Sequence, residues 1–374
     1  MVMKRFRQIA AWAAVCAVMA LAARTPETDA ARRRNEALRS RYEGWAGTLR
    51  LWTLDEAFCG TDSLAAWLAN RAAAFAKAHA GVYVQISSVD GETLRGFAAQ
   101  AGSPPDMLLF PPGLLENPQG LLALPDVAPL RAGLAACGLI GEARFALPVA
   151  IGAYGMAYDR AALDGLPADW SALPDRPRDG MLWLGWPKDS AYCRWSRAMG
   201  DLLAPAPPTP EGDETRPPPA GEGLDLGLPA SAMATLPRLL PDSFQAKDSV
   251  FAPFARGEIA AMPVTPREIA RLRALSDTGR APDWAVAARA SAFTDQVALL
   301  AVTDCARPGE AARQALCVAF ARLLLADESQ SKLTRSGAFP AIDLPSLYAG
   351  VEGMAQLEAG LAGQTLETPP AFGS

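Results

Sequence analysis

The sequence predicts an α/β protein built on a parallel sheet. Three observations lead to this prediction. The 374 residues suffice for two or three domains. The composition is 50% apolar and 20% charged, which provides enough side chains for a large core. Short apolar strands alternate with helices over the first third of the chain, and this order produces parallel sheets whose ligands bind beyond the carboxyl ends of the strands.

The N-terminal segment has the layout of a secretory signal. Basic residues precede an uninterrupted apolar run over residues 9–23, which is short for a membrane span. We predict that residues 1–23 are a signal peptide and that the protein is exported to the periplasm or the extracellular face of the membrane. An uncleaved anchor is the alternative, because Arg24 and the three arginines at 32–34 follow closely. Residues 24–46 are predicted to form a linker.

The pattern of apolar residues predicts the elements that follow in order. Strands are expected over 49–53, 82–86 and 106–110, and helices over 62–81 and 90–101. Asp62 or Ser63 is expected to cap the first helix, whose apolar face contains Leu64, Trp67, Leu68 and Phe75. A later helix is expected over 309–326. Residues 204–230 hold eight prolines and four glycines and are predicted to form a flexible insertion.

Charge and rare residues exclude several classes of function. The net charge of −5 argues against a nucleic-acid surface, and a single histidine, His79, argues against a catalytic triad and a multi-histidine zinc site. Beyond Cys16 in the leader, five cysteines remain, and none forms a CxxC motif: Cys59, Cys137, Cys193, Cys305 and Cys317. We predict mostly buried thiols, with one disulfide as the alternative, and neither a metal nor a cofactor.

Four stretches together resemble the extracellular solute-binding proteins of ABC importers, in particular the carbohydrate-binding family 1. They are LRLW at 49–52, GSPPDMLLF at 102–110, ALPVAIGAYGMAYD at 146–159 and FARGEIAAM at 254–262. The tail fits as well, with DESQ at 327–330 and GAFP at 337–340. The Pro-rich insertion and the scarcity of asparagine depart from the family's usual pattern.

The resemblance implies a two-lobed, periplasmic-binding-protein-like type II fold, with a ligand cleft between α/β lobes. It assigns residues 47–150 and 258–300 to lobe 1, and residues 151–257 and 301–374 to lobe 2. The chain would cross between lobes near Ile151, return near Phe254 and cross again near Val302. The protein would act as a monomer, close by a hinge motion and present its closed form to an ABC permease.

Eight residues are candidates for ligand contact. Aromatic rings stack on the C–H faces of sugars, while carboxylate and guanidinium groups bind the hydroxyls. The candidates come from the ends of predicted strands and the loops after them, the first crossing, an aromatic-rich loop of lobe 2 and the residues that follow the stretch at 254–262: Trp52, Asp55, Glu56, Phe110, Tyr154, Trp186, Trp195 and Arg267. Core packing or a surface ion pair is the alternative role for each. Trp183 is expected in the core, and weaker candidates are Trp284, Phe293 and Asp295.

The function that these observations favour is capture of a small solute, a sugar or oligosaccharide before others, for an ABC importer. A polyamine or another small solute is the alternative ligand, since Asp55 and Glu56 lie near Trp52. A sensory or surface binding protein of the same fold is the alternative function. An enzyme is not expected, because no spacing places two carboxylates across a glycosidic bond.

Overall fold

The computed structural model describes residues 45–55, 59–61, 64–99, 104–126, 128–167, 180–185, 198, 202, 250–304 and 309–373. The predicted leader, all but the end of the linker, and the Pro-rich segment 204–230 lie outside these residues. The described strands are β1 (Gly47–Leu54), β2 (Val82–Val89), β3 (Met107–Phe110), β4 (Leu139–Ile140), β5 (Ala143–Arg144), β6 (Leu147–Ile151), β7 (Gly155–Asp159), β8 (Leu182–Leu184), β9 (Ile259–Val264), β10 (Trp284–Ala290) and β11 (Val297–Val302).

The described helices are α1 (Leu64–Ala78), α2 (Gly91–Arg95), α3 (Phe251–Ala255), α4 (Pro266–Ser276), α5 (Glu310–Leu325), α6 (Asp327–Gln330) and α7 (Met354–Leu361). Short 3-10 turns cover Phe97–Ala99, Leu134–Ala136 and Ser331–Ser336. Within the described part of the chain, no helix combines the length and the hydropathy that are needed to cross a bilayer.

The first sheet has the strand order β2-β1-β3-β11-β6. β1 pairs in parallel with β2 and β3, which confirms the parallel sheet that the alternating pattern predicts. β11 runs antiparallel to both β3 and β6. α1 buries the predicted apolar face, and α5 packs against β6, β11 and α1. These elements form the first lobe.

The second sheet has the strand order β10-β7-β9-β8, in which β7 is antiparallel to β9 and β10. α3 and α4 pack against β9, and α7 packs against β10. These elements form the second lobe. Its strands β7 and β9 are buried along almost their whole length, as strands covered on both faces are.

The sheet order corrects the lobe boundaries that the sequence suggests. Residues 258–300 were expected in lobe 1, yet β9 and β10 pair with β7 in the second sheet and only β11 joins the first. Phe254 lies in α3 against β9, so the chain does not return there. Val302 ends β11, and the following α5 stays with the first sheet. Strand pairing between distant segments decides this division, and local pattern carries no information about it.

Two short segments therefore connect the sheets. β6 ends at Ile151 and β7 begins at Gly155, which agrees with the expected crossing near Ile151. The return crossing runs from β10 to β11 through residues 291–296. The chain passes to the second lobe again between the turn at Ser331–Ser336 and α7.

The helices agree with the prediction except at one point. α5 covers Glu310–Leu325, close to the expected 309–326. The helix expected over 90–101 ends early, because Gly96 is the C-cap of α2 and a 3-10 turn follows. Asp90 caps α2 by accepting a hydrogen bond from the Thr93 amide at 2.7 Å. The expected caps of α1, Asp62 and Ser63, lie outside the described residues.

Candidate functional site

The two sheets present facing edges at the crossing segments. In the first lobe, the carboxyl ends of β1, β2, β3 and β6 lie at one edge, since β1 to β3 are parallel and Val297 of β11 pairs with Ile151. In the second lobe, Gly155 opens β7 at the same edge at which β9 ends in Val264. The short crossings 152–154 and 291–296 join one edge to the other. The loops between these edges are the candidate ligand site.

Hydrogen bonds hold the crossing segments together. The Gly152 amide donates to the Gln296 carbonyl at 2.6 Å, and the Thr294 hydroxyl donates to the Gly152 carbonyl at 3.0 Å. Ile151 and Phe339 exchange both backbone bonds, at 3.0 and 2.7 Å. A Cβ on Gly152 would lie 2.2 Å from Oε1 of Gln296, so a glycine lets the two crossings approach closely. These contacts make the crossings a compact hinge.

Trp52 and Asp55 lie at the first-lobe edge. Trp52 is half-buried two residues before the end of β1, and its backbone is in register with Ser87 and Leu108. Asp55 follows β1, is exposed and donates its amide to the Val89 carbonyl at 3.0 Å. Glu56 lies outside the described residues. Trp52 and Asp55 are thus close in the chain at this edge, with part of the ring and the carboxylate accessible.

Phe110 has a different role from the one that the sequence suggests. It ends β3 as expected, but its side chain is completely buried in the core. The ring of Phe372 lies 6.3 Å from its centroid, and Phe372 itself is held by a backbone bridge to Leu115. A ring that is covered in this way does not stack on a ligand. Phe110 therefore serves packing at the cleft edge.

Tyr154 is buried at the hinge. Its hydroxyl donates a hydrogen bond of 2.5 Å to Oδ1 of Asp295, and its carbonyl accepts from the Ser291 amide at 2.9 Å. The phenol thus links the first crossing to the second. Asp295, a weaker candidate from the sequence, is half-buried and lies in the second crossing. The pairing of these two residues has no signal in the sequence, because they come from different crossings.

The second-lobe edge is formed by β8, β9 and the start of α4. Thr265 caps α4 in a capping box with Glu268, and Arg267 is exposed in the first turn. Gly185 follows β8 and donates its amide to the Ala261 carbonyl at 3.0 Å. Trp186 is the next residue along the chain and, like Trp195, lies outside the described residues.

Other aromatic candidates belong to the core. Trp183 is buried in β8, as expected. Trp284 is buried and donates its indole N–H to the Ser276 hydroxyl at 2.7 Å, and Phe293 is buried at the second crossing. Neither side chain presents a ring to solvent.

No cluster of three or more histidine, cysteine or carboxylate side chains suited to a metal occurs among the residues that the structure describes. Cys59 and Cys137 are buried free thiols, and burial raises the pKa of both. Burial also raises the pKa of the Tyr348 hydroxyl, which donates to the Ala338 carbonyl at 2.8 Å. Cys193 and Cys305 lie outside the described residues.

No protein-family model matches the sequence, and no curated protein sequence matches it. Solved structures do match over most of the chain. The GacH receptor of Streptomyces glaucescens, described unliganded and in complex with acarbose and an acarbose homolog, is 18% identical with a TM-score of 0.58. The alignment covers 88% of this chain and 89% of that chain.

Two further structures agree with it. The cyclic alpha-maltosyl-1,6-maltose binding protein from Arthrobacter globiformis is 14% identical, with a TM-score of 0.58 over 88% of this chain and 89% of that chain. The ABC substrate-binding protein Lmo0181 from Listeria monocytogenes, in complex with cycloalternan, is 14% identical, with a TM-score of 0.57 over 87% and 89%. The chain has the two-lobed fold of these binding proteins.

The two-lobed binding-protein fold accounts for the arrangement of the edges. The strand orders of the two sheets and the short segments 152–154 and 291–296 independently indicate two α/β lobes joined by short crossings. Trp52, Asp55 and the start of α4 lie at the facing edges of the two sheets, which these crossings join. Identity below one fifth shows the fold alone.

Proposed function

We propose that this chain is the extracellular solute-binding component of an ABC importer and that it captures a sugar or oligosaccharide by hinge closure. The observation that carries the proposal is the match to three binding proteins with sugar or sugar-like ligands over 87% to 88% of the chain. We further propose that residues 1–23 direct export and that a membrane permease receives the solute. No catalytic role is proposed.

The proposed contacts come from both edges. From the first lobe, Trp52 offers an aromatic face, and Asp55 and Glu56 accept hydrogen bonds from hydroxyls. From the second lobe, Trp186 and Trp195 supply further rings. Arg267 presents a planar fork of donors from the first turn of α4. Tyr154 acts through Asp295 and the hinge, and Phe110 acts as support for the first-lobe edge.

Thermal unfolding of the purified full-length chain tests the proposal. The probes are acarbose, maltotriose and cycloalternan, with spermidine for the alternative ligand. A ligand at a hundred times its dissociation constant adds about 2.7 kcal/mol, which raises the midpoint by roughly a few degrees. We expect such a shift with at least one of the sugars. If spermidine alone raises the midpoint, the ligand is a polyamine and not a sugar. If none of the four probes raises it, the proposal is contradicted.

Two tryptophans at opposite ends of β1 provide a matched pair of variants. Trp52→Ala removes the proposed stacking ring, so we expect isothermal titration to show at least a tenfold weaker affinity for the sugar that shifts the wild type. Trp45→Ala is the control. Trp45 is also half-buried, but it lies just before the start of β1. There it packs on Gly309, and its ring lies 5.3 Å from the guanidinium of Arg313 in α5. Equal losses in both variants would argue against a site at the carboxyl end of β1.

A further inference from the structure

The segment 362–373, which we call the strap, leaves α7 in the second lobe and ends on the first. Its start is fixed by α7, which lies directly on β10: a Cβ on Gly360 would be 2.5 Å from the Ala290 amide nitrogen. Leu361 is buried, and the side-chain Nε2 of Gln364 donates to the Ala290 carbonyl at 3.1 Å. The strap therefore begins from a firm anchor on the second lobe.

The strap next pairs with the hinge. Glu367 forms a parallel bridge with Phe293 in the second crossing. The Thr294 amide donates to the Glu367 carbonyl and the Glu367 amide donates to the Ala292 carbonyl, both at 2.9 Å. The second crossing thus pairs with the first crossing through Gly152 and with the strap through Glu367.

The strap then anchors on the first lobe. The buried Leu366 donates its amide to the Ala132 carbonyl at 3.0 Å. The neighbouring Gly133 has φ +88°, and a Cβ there would lie 1.9 Å from the Leu366 carbonyl oxygen. The Thr368 side chain hydrogen-bonds the thiol of Cys137. No bulkier residue fits at Gly133, so the strap lies against the backbone of the first lobe.

The last anchor is at the end of β3. The Gly113 amide donates to the Ala371 carbonyl at 3.0 Å, and the Gly373 amide donates to the Leu115 carbonyl at 2.8 Å. Between these bonds the buried ring of Phe372 covers Phe110. The strap therefore joins the last helix of the second lobe to the cleft edge of the first.

From these contacts we propose that the strap stiffens the hinge and restricts how far the two lobes open. Five peptide steps separate the buried Leu361 from the buried Leu366, a reach of at most about 17 Å when fully extended. Rotation of the lobes away from each other must strain this link, break the pairing of Glu367 with the second crossing, or pull Phe372 off Phe110. The proposal needs the lobes to move, but it does not depend on which solute binds.

The distance between the lobes without ligand tests the strap. Spin labels at Ala73 in α1 and Ala270 in α4, both exposed, report this distance by pulsed electron resonance in a full chain whose accessible native cysteines are replaced. An insertion of Gly-Ser-Gly-Ser after Gly363 lengthens the link between the buried Leu361 and the buried Leu366, and it gives up the hydrogen bonds of Gln364 to Leu361 and Ala290. Gly363 is exposed, has φ +74° and has open space around its Cβ, so the added residues meet no neighbouring atoms at the insertion point.

The same insertion after Gly279 is the matched control. Gly279 is likewise exposed, with φ +67° and open space, but it lies within the second lobe between α4 and β10. We expect the insertion after Gly363 to shift the mean distance to larger values and to broaden its distribution. The insertion after Gly279 leaves both unchanged. No shift for the first insertion, or equal shifts for both, would overturn the proposal.

Phe372→Ala supplies an independent variant, because it releases the far anchor without lengthening the chain. It is expected to widen the distribution as well, with circular dichroism used to verify that the protein is folded. If Phe372→Ala widens the distance distribution but the insertion after Gly363 does not, the ring acts through packing within the first lobe. That result would contradict the strap proposal. If the insertion opens the lobes while no sugar binds, the strap stands and the proposed function fails.

Discussion

The buried Asp106 connects three parts of the first lobe, namely β1, α5 and the end of β11. Its carboxylate accepts a hydrogen bond of 2.7 Å from the Arg50 amide and forms an ion pair with Arg313 of α5. Its carbonyl accepts from the Thr303 amide at 3.0 Å. The side chains of Asp106 and Arg313 are 6% and 17% exposed, so both charges are largely removed from water. The pair therefore stabilises the lobe chiefly by leaving neither charge alone.

Asp106→Ala is expected to lower the free energy of unfolding by about 3–5 kcal/mol, because it leaves the Arg313 guanidinium without its carboxylate. Urea unfolding followed by far-UV circular dichroism measures the change. Asp343→Ala is the control, since that carboxylate is 82% exposed beside Arg131, and the expected loss there is about 0–1 kcal/mol. Similar losses of unfolding free energy in the two variants would show that burial of the Asp106–Arg313 pair does not determine its contribution to stability.

Cys59 is expected to resist chemistry in the folded protein. Burial raises the pKa of its thiol above the ordinary 9.0, and the backbone contact with Ala298 opposes this only in part. The folded state keeps the proton, so the stability that this protonated thiol contributes is complete below pH 9 and decreases as the pH rises above it. Iodoacetamide at pH 8 should label the Cys59 peptide in guanidinium but not in buffer. Equal labelling in both would show that the site opens readily.

At the scale of elements, α4 shows how a local sequence signal fixes part of the cleft edge. The amide and the hydroxyl of Thr265 both donate to the Glu268 carboxylate, the amide at 3.0 Å, and Pro266 follows in the first turn. Pro266 also lies near Gly337, which has φ +66°. On its other side Gly337 approaches Thr61 of the first lobe so closely that a Cβ on the glycine would lie 2.8 Å from the Thr61 side chain. The start of α4 is therefore held where the two lobes meet.

Thr265→Ala is expected to cost about 1 kcal/mol of stability, within a range of roughly 0.5–2, because the α4 amides lose their capping oxygen. Thr265→Ser keeps that oxygen and serves as the control. Thermal unfolding of both variants measures the difference. A loss in Thr265→Ser as large as in Thr265→Ala would assign the effect to the threonine methyl group and its packing.

The elements of the first lobe were predictable because their signals are local. Alternation of apolar residues predicts β1, apolar residues spaced on one face predict α1 and α5, and a short apolar run predicts β3. The early end of α2 has a local signal as well in Gly96. The roles of Phe110 and Tyr154 were not predictable, since Phe372 and Asp295 reach them from distant parts of the chain.

At the scale of the whole molecule, crossings and strap make one connected hinge between two lobes. In the proposed function, closure over a solute rotates the lobes about segments 152–154 and 291–296, and it brings Trp52 and Asp55 towards the second-lobe edge. The strap works in the same direction as the ligand, because both oppose opening. When the open state is restricted, closure costs less free energy, and the apparent affinity for the solute is higher.

Binding of the sugar that raises the unfolding midpoint is expected to reduce the radius of gyration of the full chain in small-angle X-ray scattering. The physical reason is that the ligand binds the closed arrangement better and shifts the population towards it. At a sugar concentration close to the wild-type dissociation constant, Trp52→Ala should show much less of this reduction. A radius that is unchanged while the sugar binds would mean that the lobes are already closed without it.

The sequence by itself determined the α/β class and the order of strands and helices in the first lobe. These features depend on side-chain periodicity and short-range hydrogen bonds, which neighbouring residues encode. Only the tertiary structure decided that β9 and β10 join the second sheet and β11 the first, and that Phe372 covers Phe110. Pairing and packing between distant segments depend on the three-dimensional course of the chain, which no local window of residues contains.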